Sequence, residues 1–385
     1  MNAVLFVTNG HGETAIAQRI ARELCAIRPN ARCDHLALVG TRSGDPMNDV
    51  GPRKSMPSGG LIAMGNVRNL MRDLGAGLLG LTWAQARFLR AARGTYDAAV
   101  AVGDAYALAM TLLARTPTVF VGTAKSVDVA PYGRFEERVL ARASACFVRD
   151  DATAAMLRRH GVRAEAANAI VDLVAARDDP NAAAVVDGFE TALALFPGSR
   201  ESAYDDAAFL LAVTRELARE RRGIGVVLSV APGLDAGRFA DDARANGWSV
   251  GPAPHPSIPF TLGFDGREIV RAWDGPLGSL LPHATLILGQ AGTANEAAAA
   301  AGVPIVAFER ERDRKTPWYR RRQRGLLRDA LVVVPGRLPE AVSAVRSLLD
   351  DEPRRRHMSE VGRARMGGPG GARRIAQGVA GLLAS

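Results

Sequence analysis

Two stretches constrain this chain most: Leu195-Phe196-Pro197-Gly198-Ser199-Arg200-Glu201-Ser202 and, well downstream, Gly289-Gln290-Ala291-Gly292-Thr293-Ala294-Asn295-Glu296. Each begins where a run of buried-strand residues stops, and each supplies small residues plus a charge where a helix can begin. Strand, small-residue turn and helix N-terminus in that order is how an α/β domain cradles a diphosphate. The order demands crossover connections, so a parallel sheet covered by helices on both faces is expected.

At 385 residues the chain is too long for one ordinary core and comfortable for two. Residues 3–8 read as a first strand, Asn9-Gly10-His11-Gly12-Glu13 as a tight loop, and 14–27 as an amphipathic helix with Thr14 as candidate cap. Further strands are expected at 33–39, 98–102, 118–121 and 145–148. Between 162 and 193 the pattern loses its period, and Asp178-Asp179-Pro180-Asn181 reads as an exposed connector.

The second half repeats the logic with strands at 192–196, 225–230, 284–288, 304–308 and 331–334, and helices at 207–221 and 295–301. A helix from Pro339 through Leu349, an arginine cluster at 354–356, a glycine break at 367–371 and a last helix over 372–383 follow. The expected organisation is a first Rossmann-like domain over 1–175, a linker over 176–190, a second Rossmann-like domain over 191–355 and a C-terminal helical segment over 356–385. Two similar halves would face each other across a cleft.

No apolar run reaches the ~18 residues that a membrane span requires. The N-terminus lacks a basic leader and reads as a strand, so a cytoplasmic protein is expected. Cys25, Cys33 and Cys146 show no CxxC pairing, which argues against a disulfide framework and a zinc site and for small apolar packing. The formal charge of +9 suits a partner carrying phosphate, although an arginine-rich composition also follows from a GC-rich genome.

In the first diphosphate loop Gly198 permits a sharp turn, Ser199 and backbone amides can meet phosphate oxygens, and Arg200 offers a planar fork. In the second, Gly292, Thr293 and Ala294 open a helix whose dipole favours an anion, and the Glu296 carboxylate can accept both ribose hydroxyls or simply serve the dipole. On the first half, His11 sits between two glycines where the first strand ends. It is a candidate base or acceptor-binding group that Glu13 can orient, or a loop histidine in water.

Asp104, just past the 98–102 strand, is the preferred base; its other reading is the N-cap of the next helix. Lys125 is a candidate for neutralising phosphate, or a surface lysine. Residues 64–93 interleave Leu70, Met71, Leu74, Leu78, Leu79, Leu81, Trp83, Phe88 and Leu89 with Arg68, Arg72, Arg87, Arg90 and Arg93. They read either as an interfacial membrane segment or as a core helix pair. Arg320 to Arg324 is a phosphate-contacting loop or a solvated face.

The set Leu195–Ser202, Gly292–Glu296 and Gln323 resembles the donor domain of GT-B glycosyltransferases, in particular lipid-A-disaccharide synthase and its related group. Thr8-Asn9-Gly10-His11-Gly12-Glu13-Thr14, Val102-Gly103-Asp104-Ala105-Tyr106-Ala107-Leu108 and Phe120-Val121-Gly122-Thr123-Ala124-Lys125-Ser126 are similar in order and spacing to the related group. The resemblance implies a GT-B fold whose C-terminal helix crosses back to the first domain. It implies inverting, metal-independent transfer of a sugar from a UDP-sugar, with no cofactor, to an acceptor that can be lipid-linked, at the inner face of the cell membrane.

On this resemblance Gly198, Ser199, Arg200, Gly292, Thr293, Ala294, Glu296 and Gln323 hold the donor nucleotide. Asn9, Gly10, Gly12, Glu13, Lys125 and Ser126 form the acceptor side. Two departures stand out: Ala167-Asn168-Ala169-Ile170-Val171-Asp172 replaces a Gly-Asn-Pro turn, and Glu309-Arg310-Glu311-Arg312-Asp313-Arg314-Lys315 replaces a Gly- and Pro-containing loop. Two other readings compete. One is a UDP-sugar 2-epimerase of the same architecture. The other is a basic nucleic-acid-binding protein, which 5% aromatic content and the absence of a recognisable motif disfavour.

Overall fold

A strand buried on both faces must be apolar throughout, and Ala3-Val4-Leu5-Phe6-Val7 meets that demand. In the computed structural model, which describes residues 2–39, 43–54, 77–175, 178–310 and 317–383, the chain divides into two compact units. The first comprises residues 1–173 and 369–385, the second residues 174–368.

The first unit runs β1 (Ala3–Thr8), α1 (His11–Ile27), β2 (Arg32–Ala37), β3 (Met47–Asp49), α2 (Leu78–Ala91), β4 (Ala98–Gly103), α3 (Ala105–Thr111), β5 (Thr118–Gly122), α4 (Arg134–Leu140), β6 (Ala145–Val148), α5 (Asp151–Arg159) and β7 (Ala164–Ala166). Among the described residues its seven strands pair in the order β3-β2-β1-β4-β5-β6-β7, all parallel. Val4 and Phe6 pack in the core beneath α1, while Leu5 and Val7 pack on the opposite face with Leu89 of α2. The short strands β3 and β7 at the two edges escape sequence reading because three residues carry no period.

The C-terminal helix, Gly371–Leu382, belongs to this unit. Its Ala372, Ile375, Ala376, Val379 and Ala380 form one buried stripe in the core that α1 also covers. Each fully buried Ile or Val contributes about 1.5–3 kcal/mol, so Ile375 and Val379 alone hold the helix firmly. The expected 356–385 segment therefore divides, because its earlier part packs elsewhere.

The second unit runs α6 (Pro180–Val186), β8 (Thr191–Phe196), α7 (Ala203–Glu220), β9 (Ile224–Ser229), α8 (Ala236–Ala245), β10 (Ser249–Gly251), β11 (Thr261–Phe264), β12 (Arg267–Trp273), β13 (Leu286–Gly289), α9 (Thr293–Ala301), β14 (Ile305–Glu309), α10 (Pro317–Leu327), β15 (Leu331–Pro335), α11 (Leu338–Asp350) and α12 (Glu352–Met366). Its strands pair in the order β10-β11-β12-β9-β8-β13-β14-β15. Here α12 lies against α9, with Gly362 closely approached by the Ala299 backbone.

Three differences from the sequence reading have plain causes. The second sheet is not wholly parallel, since β10, β11 and β12 pair antiparallel at one edge. Asp265 and Gly266, both at positive φ (52° and 72°), make the β11–β12 turn, so the Asp-Gly pair was a legible hairpin signal. The connector at 178–181 starts a helix, with Asp179 accepting from the Asn181 amide and Pro180 in the first turn. Thr14 does not cap α1: Gly10 occupies the N-cap, and Thr14 lies inside the first turn with its hydroxyl on the Gly10 carbonyl.

Candidate functional site

In a doubly wound sheet the loops after the two strands that flank the reversal of chain order splay apart, and ligands bind there, beyond the carboxyl ends. In the first unit that point lies between β1 and β4; in the second it lies between β8 and β13. The segments that follow these strands are Asn9–Gly10 with the first turn of α1 to Glu13, Gly103–Asp104, Pro197–Ser202 and Gln290–Gly292, so the loop expected over 9–13 gives way to helix from His11. All were singled out from sequence, and the sheets bring them together in pairs.

In the second unit Leu195 pairs with Leu288 and Phe196 with Gly289, and the Gln290 amide donates to the Phe196 carbonyl at 2.8 Å. The two diphosphate loops therefore leave adjacent strands at the same level. Gly198 has φ +121° with open space around it, a conformation L side chains rarely adopt. Ser199 and Arg200 are exposed ahead of α7, and Gly292 is the N-cap of α9, where it offers no side-chain cap of its own. Thr293 is exposed, Ala294 buried, and Glu296 half-buried in the first turn of α9. Free amides, an open helix end and a guanidinium are the groups a diphosphate needs.

Three buried amides build this loop, and only one was singled out from sequence. Gln290 donates from Nε2 to the Phe308 carbonyl at 3.0 Å and accepts the Phe308 amide at 3.1 Å, so its side chain extends the ladder between β13 and β14. Asn295 donates to the Gly289 carbonyl at 3.2 Å. Gln323, buried on α10, donates to the Ala291 carbonyl at 3.0 Å, which gives it a loop-holding role besides the nucleotide role implied by resemblance. Of the arginine run, Arg321 and Arg324 are exposed, and Arg324 lies 3.5 Å from Glu309. The segment 311–316 lies outside the described residues.

In the first unit the three expected motifs meet at the ends of β1, β4 and β5. Gly103 has φ +137°, and the Asn9 carboxamide fills the space where a Cβ would stand. Glu13 accepts from the Thr123 hydroxyl at 3.3 Å, joining the first loop to the third, and Gly12 has open space beside it. Of His11, only the backbone is among the described atoms; it opens α1 after Gly10.

Asp104 is the N-cap of α3 and accepts the Ala107 amide at 3.0 Å, so the capping role is realised. Lys125 is not a free cation: its Nζ lies 2.6 Å from Glu136 Oε2 and over the Tyr132 ring. Ser126 is buried and accepts the Asp128 amide at 3.2 Å. Arg149, missed from sequence, is buried at the end of β6 and donates to the Thr123 carbonyl at 3.1 Å. Burial pushes the Tyr132 phenol up, with Cys146, Glu136 and Asp104 adding to the rise and Arg149 opposing it. The neutral hydroxyl stands where a Cβ on Gly122 would be.

The cysteines are free, with Cys33 and Cys146 buried and Cys25 half-buried 3.8 Å from Cys33. Among the described residues no group of three or more His, Cys, Asp or Glu is placed to hold a metal ion. Among the same residues no helix is long and apolar enough to cross a membrane.

Two parallel-sheet α/β units, each with its loops at a switch point, and a last helix returned to the first unit define the GT-B fold class. Solved structures with this architecture align over nearly the whole chain. Phytolacca americana UGT2 complexed with UDP-2fluoro-glucose and pterostilbene matches at 12% identity and TM-score 0.59, covering 100% of each chain. Acinetobacter baumannii MurG matches at 13% identity and TM-score 0.58, over 99% of this chain and 100% of that one. UDP-GlcNAc 2-epimerase from Neisseria meningitidis bound to UDP-GlcNAc matches at 11% identity and TM-score 0.54, over 99% of each. No family model matches the sequence, and no curated protein matches it.

Proposed function

We propose that the chain is an inverting, metal-independent glycosyltransferase that moves a sugar from a UDP-sugar to an acceptor. The observation that carries this reading is the pair of open loops on adjacent strands β8 and β13, with Glu296 in the first turn of α9. Gly198, Ser199, Arg200, Gly292, Thr293 and Ala294 take the diphosphate, Glu296 takes the ribose hydroxyls, and Gln323 steadies the second loop. The similar structures complexed with UDP-2fluoro-glucose and bound to UDP-GlcNAc support a nucleotide-sugar ligand.

Inverting transfer needs a base for the acceptor hydroxyl and positive or dipolar groups for the leaving diphosphate. Asp104 is the proposed base and His11 the alternative. Asn9, Gly10, Gly12 and Glu13 line the acceptor side with Ser126 and with Lys125, whose ammonium is paired with Glu136. Incubation with a panel of UDP-, GDP- and dTDP-sugars tests the reading by calorimetry. UDP-sugar binding below millimolar concentration is expected, and no binding by any donor overturns it.

A lipid-linked acceptor at the inner membrane face is part of the proposal and has one observation in support. On α2, Leu79 is 72% and Trp83 62% exposed, four residues apart, with Arg87 stacked 4.8 Å from the Trp83 ring and Arg90 exposed beyond it. Apolar side chains fringed by cations suit an anionic lipid interface. Leu78, Leu81 and Leu89 on the same helix are buried, so the core reading holds for the other face. Arg68, Leu70, Met71, Arg72 and Leu74 lie outside the described residues.

The second reading, a UDP-sugar 2-epimerase, is favoured equally by the matched folds. Product analysis with a UDP-sugar and no acceptor separates the two. Epimer release supports the epimerase, and turnover only on adding a lipid-linked acceptor supports transfer.

A further inference from the structure

A buried histidine that the proposed transfer leaves unused is joined by hydrogen bonds to the glycine turn of the first unit. His35 on β2 is 1% exposed. Its Nδ1 lies 3.0 Å from Asp49 Oδ1, and its Nε2 lies 2.9 Å from Thr8 Oγ1. Thr8 Oγ1 is 3.0 Å from Thr14 Oγ1, which is 2.9 Å from the Gly10 carbonyl oxygen. Asp49 is held from behind by Arg53 at 2.8 Å and by the Ser43 amide and hydroxyl at 3.1 and 3.0 Å. The chain of contacts runs unbroken from Arg53 to the carbonyl just before His11.

Counting donors compares two states of the ring, and only the doubly protonated one puts a proton on every contact. The Asp49 carboxylate only accepts, so Nδ1 carries a proton in both. With Nε2 bare, Thr8 donates to it, and Thr14 gives its single proton either to Thr8, leaving the Gly10 carbonyl the Thr14 amide alone at 3.0 Å, or to the Gly10 carbonyl. With Nε2 protonated the order reverses: His35 donates to Thr8, Thr8 to Thr14, and Thr14 to the Gly10 carbonyl, which then accepts twice. With Nε2 bare, either choice leaves one close oxygen pair with no proton between its members, at 3.0 Å between the threonines or 2.9 Å between Thr14 and the Gly10 carbonyl. Burial makes that costly.

We propose that His35 is a positioning residue whose protonation state, passed through Thr8 and Thr14, sets how strongly the Gly10 carbonyl holds the turn that carries His11. Among the described residues Asp49 and Arg53 are the charged groups facing the ring, while β1 and α1 present hydroxyls. Burial lowers the His35 pKa and Asp49 only partly restores it, so the ring is neutral at neutral pH and the reversal comes on acidification. The inference concerns the turn itself and stands apart from which sugar-nucleotide reaction the site performs.

The full chain carrying ¹⁵N-histidine and ¹⁵N-threonine, titrated from pH 8 to pH 5 by NMR, tests it, with His35→Gln assigning the ring signals. The neutral ring should show the Nδ1–H form, and the Thr14 amide should shift with the midpoint of the His35 ring. In Thr8→Val the ring should still titrate while the Thr14 shift falls several-fold, and Thr8→Ser should restore it. If Thr8→Val does not fold, Thr8→Ala makes the same cut. An equal Thr14 response without the Thr8 hydroxyl, a wild-type ring titration that leaves Thr14 unmoved, or a ring that does not titrate while the fold persists each overturns the proposal.

Discussion

The Asp172 carboxylate accepts the backbone amide of Ala372 at 2.6 Å, 200 residues further along the chain. Its second oxygen accepts the Gly370 amide, also at 2.6 Å. One side chain thus supplies the partners that the start of the C-terminal helix lacks, and the Asn168 backbone approaches Gly371 beside it. Asn168 and Asp172 are what remains where the chain departs from the Gly-Asn-Pro turn, and the anchor explains what Asp172 does there.

Replacing Asp172 with Ala should therefore loosen the last helix specifically. Two charge-assisted bonds are lost, for about 2–4 kcal/mol. Urea unfolding should show that loss, and hydrogen exchange should rise over 371–382 before it rises in the second unit.

Asp104 can be a cap, a base or both, and one pair of variants separates the roles. Asn caps about as well as Asp, so Asp104→Asn should leave stability nearly unchanged, while Asp104→Ala costs about 1 kcal/mol. If Asp104 is the base, both variants lose roughly 10²–10⁴-fold in turnover. Full activity in Asp104→Asn would hand the role to His11.

Glu296 lies half-buried at the open end of α9. Glu296→Ala should weaken UDP binding about tenfold or more by calorimetry, since a carboxylate accepting from ribose hydroxyls is worth about 1.5–3 kcal/mol. The melting temperature should change little. Unchanged affinity would leave Glu296 serving the helix dipole alone.

Gln290→Ala should do the opposite. It leaves the Phe308 amide and carbonyl without their side-chain partners, costing about 1–3 kcal/mol for each group left unsatisfied. A fall in stability should accompany any loss of nucleotide affinity, as thermal melts with and without UDP would show.

Acid should destabilise the first unit through one pair of groups. Burial alone would raise the Asp49 carboxyl, but bonds from His35, Ser43 and Arg53 hold it well below the usual carboxylate range. Its stabilisation is present above the unfolded carboxylate value and is lost as pH falls through the folded one. The His35 pKa, lowered by burial, lies below its ordinary 6.5, so the unfolded chain takes up that proton first and stability declines below about that pH. Unfolding midpoints from pH 8 to 2 should fall accordingly, and His35→Gln should flatten the upper part of the decline, leaving the part below about pH 4 to Asp49.

Much of the fold is legible because local and global demands coincide. Apolar runs such as Ala98–Val102 and Leu193–Phe196 can only be buried strands, and the amphipathic stretches between them can only be crossovers. The edge strands β3, β7 and β10 are too short to show a period, and the β11–β12 hairpin was signalled only by Asp265-Gly266. Within the candidate site, glycines and charges at strand ends announce themselves. Gln290, Asn295 and Arg149 do not, because a buried polar side chain is recognisable only once its partner is in place.

By itself the sequence determined the class of protein: two α/β units, loops suited to a diphosphate, and a last helix with an apolar stripe. Tertiary structure decided which loops share a switch point, since β8 and β13 become neighbours only when the chain order reverses between them. It also decided that Lys125 is paired with Glu136, that Asp104 caps α3, and that Asp172 anchors the C-terminal helix. The physical reason is range. Propensity and periodicity act over a few residues, whereas a hydrogen bond spanning 200 residues exists only after packing has brought its ends together.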